Sequence, residues 1–283
     1  MKLCDLHTHT TASDGSDTPE ELIVLAKKAG LSAISITDHD TTAGLPMGRQ
    51  TAKREDMEFI PGVELSVSFP KGNMHLLGYF INEGSDALHE VLKRVQKARA
   101  DRNPRIIERL QTLGIPITMQ AIEEIALGGQ IGRPHIARFL VERGYVKSVG
   151  QAFDKYLKKG GPAYAPKSIL SPQEAIETVR KAQGVPVLAH PFSLMAKDKQ
   201  ELEQIVSGLK AQGLMGIECY YSEHDEGFTA TCLEISKKYD LVATGGSDYH
   251  GKAKPYIKLG RGKGNLRIPY SCVEALKAAR DAL

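Results

Sequence analysis

The sequence predicts an α/β fold built on a parallel sheet or barrel. Short apolar runs with β-branched residues, such as residues 32–37 and 185–189, alternate with segments of helical periodicity. Polar, metal-capable residues directly follow these runs, with His39 after the first and His190 after the second. Ligands and catalytic groups converge at the carboxyl ends of the strands in parallel α/β barrels. We therefore expect a functional site at that end of the fold.

The helical segments carry recognisable boundary signals. Thr18, Pro19 and Glu21 form a helix start, with the threonine as N-cap, the proline at the first helical position and the glutamate placed for a capping box. Gly30 suits the end of that helix. Similar helical patterns cover residues 200–212, 225–239 and 271–283.

Histidines and carboxylates form ordered clusters along the chain. His7 and His9 are two positions apart on an extended run, so their side chains project to the same side and can hold one ion. Asp14 follows in a turn-rich stretch that can bend back toward the strand end. A lone His-x-His pair would be weak evidence for a metal site. If all nine residues had purely structural roles, however, several independent coincidences would be needed to explain their pattern. The further members are His39, Glu64, His75, His190, Asp248 and His250.

Five motifs of the sequence resemble those of one known family. They are HTHT at residues 7–10, TDHD at 37–40, GVE at 62–64, HLLGY at 75–79 and GSDYH at 246–250. Together they are similar to the polymerase and histidinol phosphatase (PHP) family over residues 7–250. This resemblance implies a distorted (β/α)7 TIM-like barrel that holds two or three divalent metals at the carboxyl ends of its strands.

The resemblance also implies how the ligands divide among the ions. His7, His9, Glu64 and Asp248 would hold one metal, and Glu64 would bridge to a second. His75 and His190 would complete the second site, and Asp14, His39 and His250 would hold a third. We expect Glu64, Asp248 and His190 to act in catalysis through these ions. A set of imidazoles and carboxylates without thiolate favours manganese, with iron or zinc as alternatives.

Asp38 and Asp40 flank one of the expected ligands. Residues 41–43 resemble the opening of a helix, so either aspartate can cap that helix or support a neighbouring ligand. Direct ligation of an ion is an equally weighted alternative.

The interval between the His75 segment and the strand at residue 185 is too long for one connection between a strand and a helix. It contains helical patterns at residues 88–113, 121–127, 136–143 and 152–158. We expect residues 1–100 and 166–283 to form the barrel that carries the metal site. Residues 101–165 would form a small helical insertion that covers the mouth of the barrel.

The insertion and its return segment supply the candidate substrate-binding residues. Arg133, His135 and Arg138 lie where a rigid turn precedes a helix, a combination suited to phosphate binding, and Lys167 follows the return toward the mouth. The alternative is that these cations are ordinary solvated charges. We favour that alternative for Arg99, Arg102 and Arg105, which share a helical face.

Composition excludes several classes of function. The formal net charge of +3 is too small to argue for nonspecific binding of duplex DNA. No apolar stretch approaches the length of a membrane span, and residues 1–7 lack a signal-peptide pattern, so we expect a cytoplasmic protein without a membrane partner. The four cysteines are dispersed and are expected to stay reduced. The sequence does not predict an oligomeric state.

The expected chemistry follows from charge. Six neutral histidines and three carboxylates around three divalent ions leave a net positive cluster, which attracts an anionic group and suits phosphate ester hydrolysis. Arg133 and Lys167 would neutralise phosphoryl charge. With its insertion, the chain resembles family members that remove a phosphate from nucleoside 3',5'-bisphosphates, relatives of which trim short RNA from the 5' end. Alternatives are a histidinol phosphate phosphatase, a noncatalytic polymerase-associated module and a metal-dependent amide hydrolase.

Overall fold

Seven strands in the described part of the chain form one sheet in sequential order, and the sheet is nearly closed into a barrel. The computed structural model describes residues 2–166 and 170–283. Hydrogen bonds from Leu6 N to Gly245 O (3.2 Å) and from Asp248 N to His7 O (2.9 Å) join the first strand to the last. The strands are β1 (Cys4–Asp5), β2 (Ala33–Ile36), β3 (Glu58–Val67), β4 (Met74–Tyr79), β5 (Val185–Leu188), β6 (Gly216–Tyr221) and β7 (Val242–Gly246).

β4 departs from the predicted parallel arrangement. It pairs antiparallel with β3, where His75 lies opposite Ser66, and antiparallel with β5. Residues 68–73 connect β3 to β4 without a helix, so β4 runs back from the mouth of the barrel. The expectation of a parallel sheet is wrong for this strand, because an apolar run does not reveal its direction. His75 consequently reaches the mouth from the start of its strand.

The helices follow the predicted boundary signals closely. Thr18 Oγ1 accepts a hydrogen bond from Glu21 N (3.2 Å), Glu21 Oε2 accepts one from Thr18 N (2.8 Å), and Gly30 adopts φ 75° just past the helix end. No helix of the described residues is long and apolar enough to span a membrane. The helices are α1 (Pro19–Lys28), α2 (Leu45–Arg54), α3 (Asp86–Thr112), α4 (Met119–Ala126), α5 (Arg133–Glu142), α6 (Val149–Ala152), α7 (Pro172–Lys181), α8 (Lys199–Ala211), α9 (Glu226–Lys238) and α10 (Ser271–Asp281).

The interior of the barrel is apolar below and polar at the mouth. Glu64 pairs with Leu77 and Leu77 pairs with Val187, so the three side chains share the inner face. Ile60, four residues before Glu64 on β3, lies on that face too and is fully buried. Apolar packing below therefore supports a buried carboxylate above it.

The predicted insertion has its own apolar core. Buried residues between 106 and 165, among them Ile106, Ile122 and Leu140, pack into a cluster separate from that of the barrel. α3 contributes to both cores, since Leu92 packs in the barrel core, so the predicted boundary at residue 100 falls within one continuous helix. The insertion also contacts the mouth of the barrel. Gly129 packs so closely against the loop after β1 that a Cβ at this position would lie 2.0 Å from Thr11 O.

Candidate metal centre

The nine predicted ligand residues lie together at the mouth of the barrel. His7 and His9 follow β1, and their Nε2 atoms face the same two carboxylates. Glu64 Oε2 lies 3.3 Å from His7 Nε2 and 3.2 Å from His9 Nε2. Asp248 Oδ1 lies 3.7 Å and 3.3 Å from the same two nitrogens. These four side chains form the first ligand group.

The second oxygen of Glu64 faces a different pair of histidines. Glu64 Oε1 lies 2.8 Å from His75 Nδ1 and 2.9 Å from His190 Nε2. The two histidine nitrogens are 3.2 Å apart. These atoms form the second ligand group, and the Glu64 carboxylate spans both groups with one oxygen in each.

A third group lies on the other side of His9. Asp14 Oδ1 is 3.3 Å from His250 Nε2 and 3.8 Å from His9 Nδ1, and Asp14 Oδ2 is 3.9 Å from His39 Nε2. His39 also turns its Nδ1 toward Glu64 Oε2, at 2.9 Å. His9 thus contributes to both the first and the third group, a sharing that the resemblance did not imply.

The atoms of these groups fit metal ions. His7 Nε2, His9 Nε2, His39 Nδ1 and Glu64 Oε2 are buried and make no hydrogen bond within the described residues. Buried polar atoms in native proteins are almost always paired, so four such atoms in one cavity point to a partner outside the protein chain. The separations between these donor atoms, from 2.8 Å to 3.9 Å, bracket the roughly 3 to 3.4 Å expected between ligands that share one ion at about 2.1 Å.

The backbone that carries these side chains is tightly constrained. A Cβ at Gly246 would lie 2.0 Å from the Cβ of His7, so only glycine lets β7 approach the first ligand. Asp248 and His190 adopt positive φ angles of 57° and 25°. Non-glycine residues in this region cost about 1 to 3 kcal/mol and persist where the surrounding structure holds them. The strain here coincides with two predicted ligands.

Burial and the carboxylates set the charges of the histidines. Burial lowers the pKa of His75 and of His250 to about 4, so both rings are neutral near pH 7. Burial also opposes charge on His9, but the Asp248 and Glu64 carboxylates raise its pKa to about 9. His7 is likewise buried, yet Glu218 and Glu64 raise its pKa well above the ordinary value.

These shifts predict that metal binding releases protons. His7 and His9 are protonated in the metal-free protein at pH 7, and a metal binds only the neutral ring, so affinity should rise with pH from 7 through the His9 pKa of about 9. Titration of Mn²⁺ calorimetrically at pH 7, in two buffers of different ionisation enthalpy, should show release of about two protons. An observed heat that is independent of the buffer would contradict the shifts.

Glu218 is a functional residue that the sequence reasoning missed. It lies on β6, fully buried, and its Oε1 is 3.0 Å from His7 Nδ1, while its Oε2 accepts a hydrogen bond from His190 N (2.7 Å). A carboxylate on the far nitrogen of a metal-binding histidine fixes the orientation of the ring. An acidic residue inside the apolar strand sequence GIECYY was the available signal.

Glu218→Gln should therefore weaken metal binding while the fold is retained. Loss of such an orienting carboxylate costs about 10- to 100-fold in metal affinity. Activity measured against Mn²⁺ concentration would show the shift, with Glu226→Gln, an exposed position at the start of α9, as the matched control. An unchanged Mn²⁺ requirement in Glu218→Gln would show that the carboxylate does not support the site.

Asp38 and Asp40 belong to the supporting structure. Asp38 Oδ1 accepts hydrogen bonds from Thr10 N (2.8 Å) and Ser13 Oγ (2.5 Å), which holds the loop between His9 and Asp14. Asp40 Oδ1 accepts one from Ser66 N (2.7 Å). The helix expected to open at residues 41–43 begins instead at Leu45, so neither aspartate caps it.

Tyr221 and Lys254 act on the outer oxygen of Asp248 and were also missed. Tyr221 OH donates to Asp248 Oδ2 at 2.8 Å, and Lys254 Nζ donates to the same oxygen at 2.6 Å. Oδ1 is left to face His7 and His9. The two donors therefore fix which oxygen of Asp248 points into the first ligand group.

The predicted substrate-binding residues occupy varied positions. Arg133 is partly buried, donates to Leu157 O (3.0 Å) and lies over the ring of Phe153 at 5.5 Å. His135 is buried, and its Nδ1 accepts a hydrogen bond from Gly132 N (3.0 Å). Arg138 Nη2 lies 3.6 Å from Glu142 Oε1, one turn further along the same helix. The candidate Lys167 lies outside the described residues.

Two of the arginines that we expected to be solvated are buried. Arg99 is 8% exposed and donates to Asp40 Oδ2 (2.8 Å), which directly follows the predicted ligand His39. Arg102 is 2% exposed. Arg105 is exposed as predicted and donates to Pro166 O (3.0 Å). The expectation fails for Arg99 and Arg102 because the insertion packs over the face of α3 that carries them.

Buried imidazoles and carboxylates that share one cavity and surround a spanning carboxylate define a metal-dependent hydrolase. The sequence matches the model of one such family over residues 5–165, and its description is PHP domain. The chain belongs to the PHP domain family and is a metal-dependent phosphoesterase, as the motifs predicted. The observed barrel also agrees with the predicted fold class.

Similar proteins carry related names. The 5'-3' exoribonuclease Rnm of Salmonella typhimurium is 35% identical over 91% of this chain and 88% of its own length. A 3',5'-nucleoside bisphosphate phosphatase of Chromobacterium violaceum is 32% identical, over 88% of both chains. A phosphoribosyl 1,2-cyclic phosphate 1,2-diphosphodiesterase of Eggerthella lenta is 32% identical over 88% of this chain and 94% of its own. A crystal structure from Bifidobacterium adolescentis, described as a metal-dependent phosphoesterase, superposes with a TM-score of 0.87 at 29% identity, covering 99% of this chain and 96% of the other.

Proposed function

We propose that the protein hydrolyses the 3'-phosphate of nucleoside 3',5'-bisphosphates and removes nucleotides from the 5' end of short RNA. Both substrates have a reacting phosphate and a second phosphate on the same nucleotide. The observation that carries the proposal is a buried group of arginines beside the metal centre. Relatives named for each of the two activities support it.

The ligand assignment follows the three groups. We assign His7, His9, Glu64 and Asp248 to one ion, Glu64 with His75 and His190 to a second, and Asp14, His39 and His250 to a third. Nitrogen and oxygen donors without thiolate suit Mn²⁺, Fe²⁺ or Zn²⁺, and we propose Mn²⁺ as the working ion. Bound divalent ions would activate water and stabilise the phosphoryl oxygens. Glu218, Tyr221 and Lys254 would keep the ligand atoms turned toward the ions.

Arg102 is the centre of the proposed second phosphate site. Its guanidinium is buried and donates to the Asn103 side-chain oxygen at 2.7 and 3.2 Å, and no ion pair to a carboxylate is found for it within residues 2–166 and 170–283. Burial, followed by the nearby charges of Arg99 and Arg133, lowers its pKa to about 9. The Asp40 carboxylate raises this pKa only in part, because it is already bonded to Arg99. The positive charge of the arginine group therefore exceeds the negative charge of its carboxylate, and a phosphate would balance it.

The arginine group lies against the metal centre on the side of the third ligand group. Arg99 contacts Asp40, directly after the ligand His39. Asn103 Nδ2 donates to Ile131 O (3.1 Å), which brings α3 to the insertion turn that carries Arg133. A nucleotide whose 3'-phosphate binds the ions would therefore place its 5'-phosphate toward Arg102 and Arg133.

A panel of substrates tests the proposal. Adenosine 3',5'-bisphosphate and 5'-phosphorylated short RNA should be the preferred substrates in the presence of Mn²⁺. Histidinol phosphate, 3'-AMP and phosphoribosyl 1,2-cyclic phosphate are the comparison substrates, the last chosen because a relative is named for it. A higher kcat/KM for any of these three than for the bisphosphate would overturn the assignment.

A further inference from the structure

An exposed aromatic ring follows the second ligand group closely in the chain. Phe192 is two residues past His190, in the short helix Pro191–Leu194, and 53% of it is exposed. Its ring meets Phe228 edge to face, with centroids 5.9 Å apart and an angle of 87°. The Phe192 ring is thus supported on one side by Phe228, and about half of the residue is accessible to a ligand.

Other aromatic rings connect Phe192 to the metal centre. Phe228 lies 4.6 Å from His224, His224 lies 5.1 Å from Tyr221, and Tyr221 lies 5.5 Å from His190, measured between ring centroids. Since Tyr221 also donates to Asp248, the row of rings is anchored to two predicted ligands. Phe192 is the exposed end of a supported row.

A basic segment adjoins the same row of rings. Tyr221 lines a cavity with Asp248, Lys254 and Tyr256, and Tyr256 is 59% exposed. The segment of residues 251–263, which contributes Lys254 and Tyr256, has five cationic residues and no acidic residue. Two of the five are paired with carboxylates, Lys254 with Asp248 at 2.6 Å and Lys263 with Glu223 at 3.4 Å. The other three, Lys252, Lys258 and Arg261, are exposed.

This surface lies apart from the arginine group. Arg102 and Arg133 are on the side of the third ligand group, where the insertion contacts the loop after β1: Gln130 N donates to Ala12 O at 3.1 Å. Phe192 follows His190, whose Nε2 faces the other oxygen of Glu64. An RNA strand whose phosphodiester lies at the ions can therefore extend in one direction toward the arginine group and in the other toward Phe192.

We propose that Phe192 and the basic segment of residues 251–263 bind the downstream nucleotides of a short RNA. This inference rests on the proposed function and adds a site for the remainder of the strand. Phe192 stacks on the base of the second nucleotide, and the cations neutralise the phosphates that follow. Single-stranded nucleic acid is bound by this combination of aromatic faces and a basic groove.

The same bond is broken in the bisphosphate and in RNA. The oxygen of water bonds to phosphorus, the bond between phosphorus and the 3'-oxygen of the first nucleotide breaks, and that oxygen takes a proton. The first nucleotide leaves as a 5'-mononucleotide. The phosphate stays on the downstream strand, which therefore carries a new 5'-phosphate for the next cycle.

Phe192→Ala tests the stacking platform with two substrates of one enzyme. For a 5'-phosphorylated pentaribonucleotide, KM should rise about tenfold, because base stacking on an aromatic side chain is lost. The kinetics with adenosine 3',5'-bisphosphate should be unchanged, since that substrate has no second base. Phe192→Trp, which keeps an aromatic ring, should retain the wild-type RNA kinetics. Leu113→Ala, at an exposed apolar position at the end of α3, is the control and should change neither substrate's kinetics.

The double variant Lys258→Glu with Arg261→Glu tests the basic segment. It should raise KM for the pentaribonucleotide more than for a dinucleotide and should reduce the salt dependence of RNA hydrolysis. The double variant Lys53→Glu with Lys181→Glu, at exposed positions at the ends of α2 and α7, is the matched charge control.

The outcomes separate this inference from the proposed function. Equal losses on both substrates in Phe192→Ala, or no loss on either, would overturn the downstream site. A wild-type enzyme that hydrolyses the bisphosphate but not the pentaribonucleotide would overturn it too, while the phosphatase assignment stands. Failure to hydrolyse either substrate would refute the proposed function itself.

Discussion

Glu64→Gln is expected to lower kcat for the bisphosphate by about three orders of magnitude. The Glu64 carboxylate faces both the first and the second ligand group, so one substitution disturbs two proposed ions. Loss of metal assistance to phosphoryl transfer costs several kcal/mol, and about 4 kcal/mol corresponds to a thousandfold rate change. Steady-state kinetics with saturating Mn²⁺, together with metal analysis of the purified variant, would measure both effects.

Glu58→Gln is the control for this variant. Glu58 begins the same strand at the other end of the barrel, where it pairs with Lys277 (2.6 Å). Its replacement should leave kcat and metal content unchanged. Wild-type rates in Glu64→Gln would show that Glu64 does not bridge ions in the working enzyme.

Arg102→Met is expected to lower kcat/KM for adenosine 3',5'-bisphosphate by about 100-fold. A charge-assisted hydrogen bond to a buried phosphate contributes about 2.7 kcal/mol, which gives this factor. Hydrolysis of 3'-AMP should change little, because that substrate lacks the 5'-phosphate. The ratio of the two kcat/KM values is therefore the decisive measurement.

Arg105→Met provides the control from the same helix. Arg105 is exposed and only three residues from Arg102, so its loss should affect neither substrate. Equal losses on both substrates in Arg102→Met would show that Arg102 supports the structure of α3 and the insertion. An unchanged selectivity would place the 5'-phosphate elsewhere.

Local sequence rules grouped the candidate metal ligands because these residues follow regular elements. His7 and His9 alternate along an extended segment, and His190 follows an apolar strand, so periodicity alone brings them to one face. The capping box at Thr18 and Glu21 was also predictable, because its two partners are only three residues apart in the sequence. Signals of this kind depend on short spacing along the chain.

The residues that sequence reasoning missed depend on tertiary packing. Glu218 acquires its role from His7, which lies 211 residues earlier, and Lys254 acquires its role by folding back onto Asp248. Arg102 has the spacing of a solvated helical charge, and only the insertion packed over α3 buries it. The antiparallel direction of β4 could not be predicted either, because the composition of an apolar strand does not indicate which way it runs in the sheet.

The central claim is that Glu64 holds two ions within a centre built from nine side chains. Anomalous diffraction from crystals of the Mn²⁺-loaded protein tests it most directly. The account predicts one peak among His7, His9, Glu64 and Asp248 and a second among Glu64, His75 and His190, with a third beside Asp14 when the centre is full. Active, Mn²⁺-dependent protein whose crystals show no ion on either oxygen of Glu64 would contradict the account.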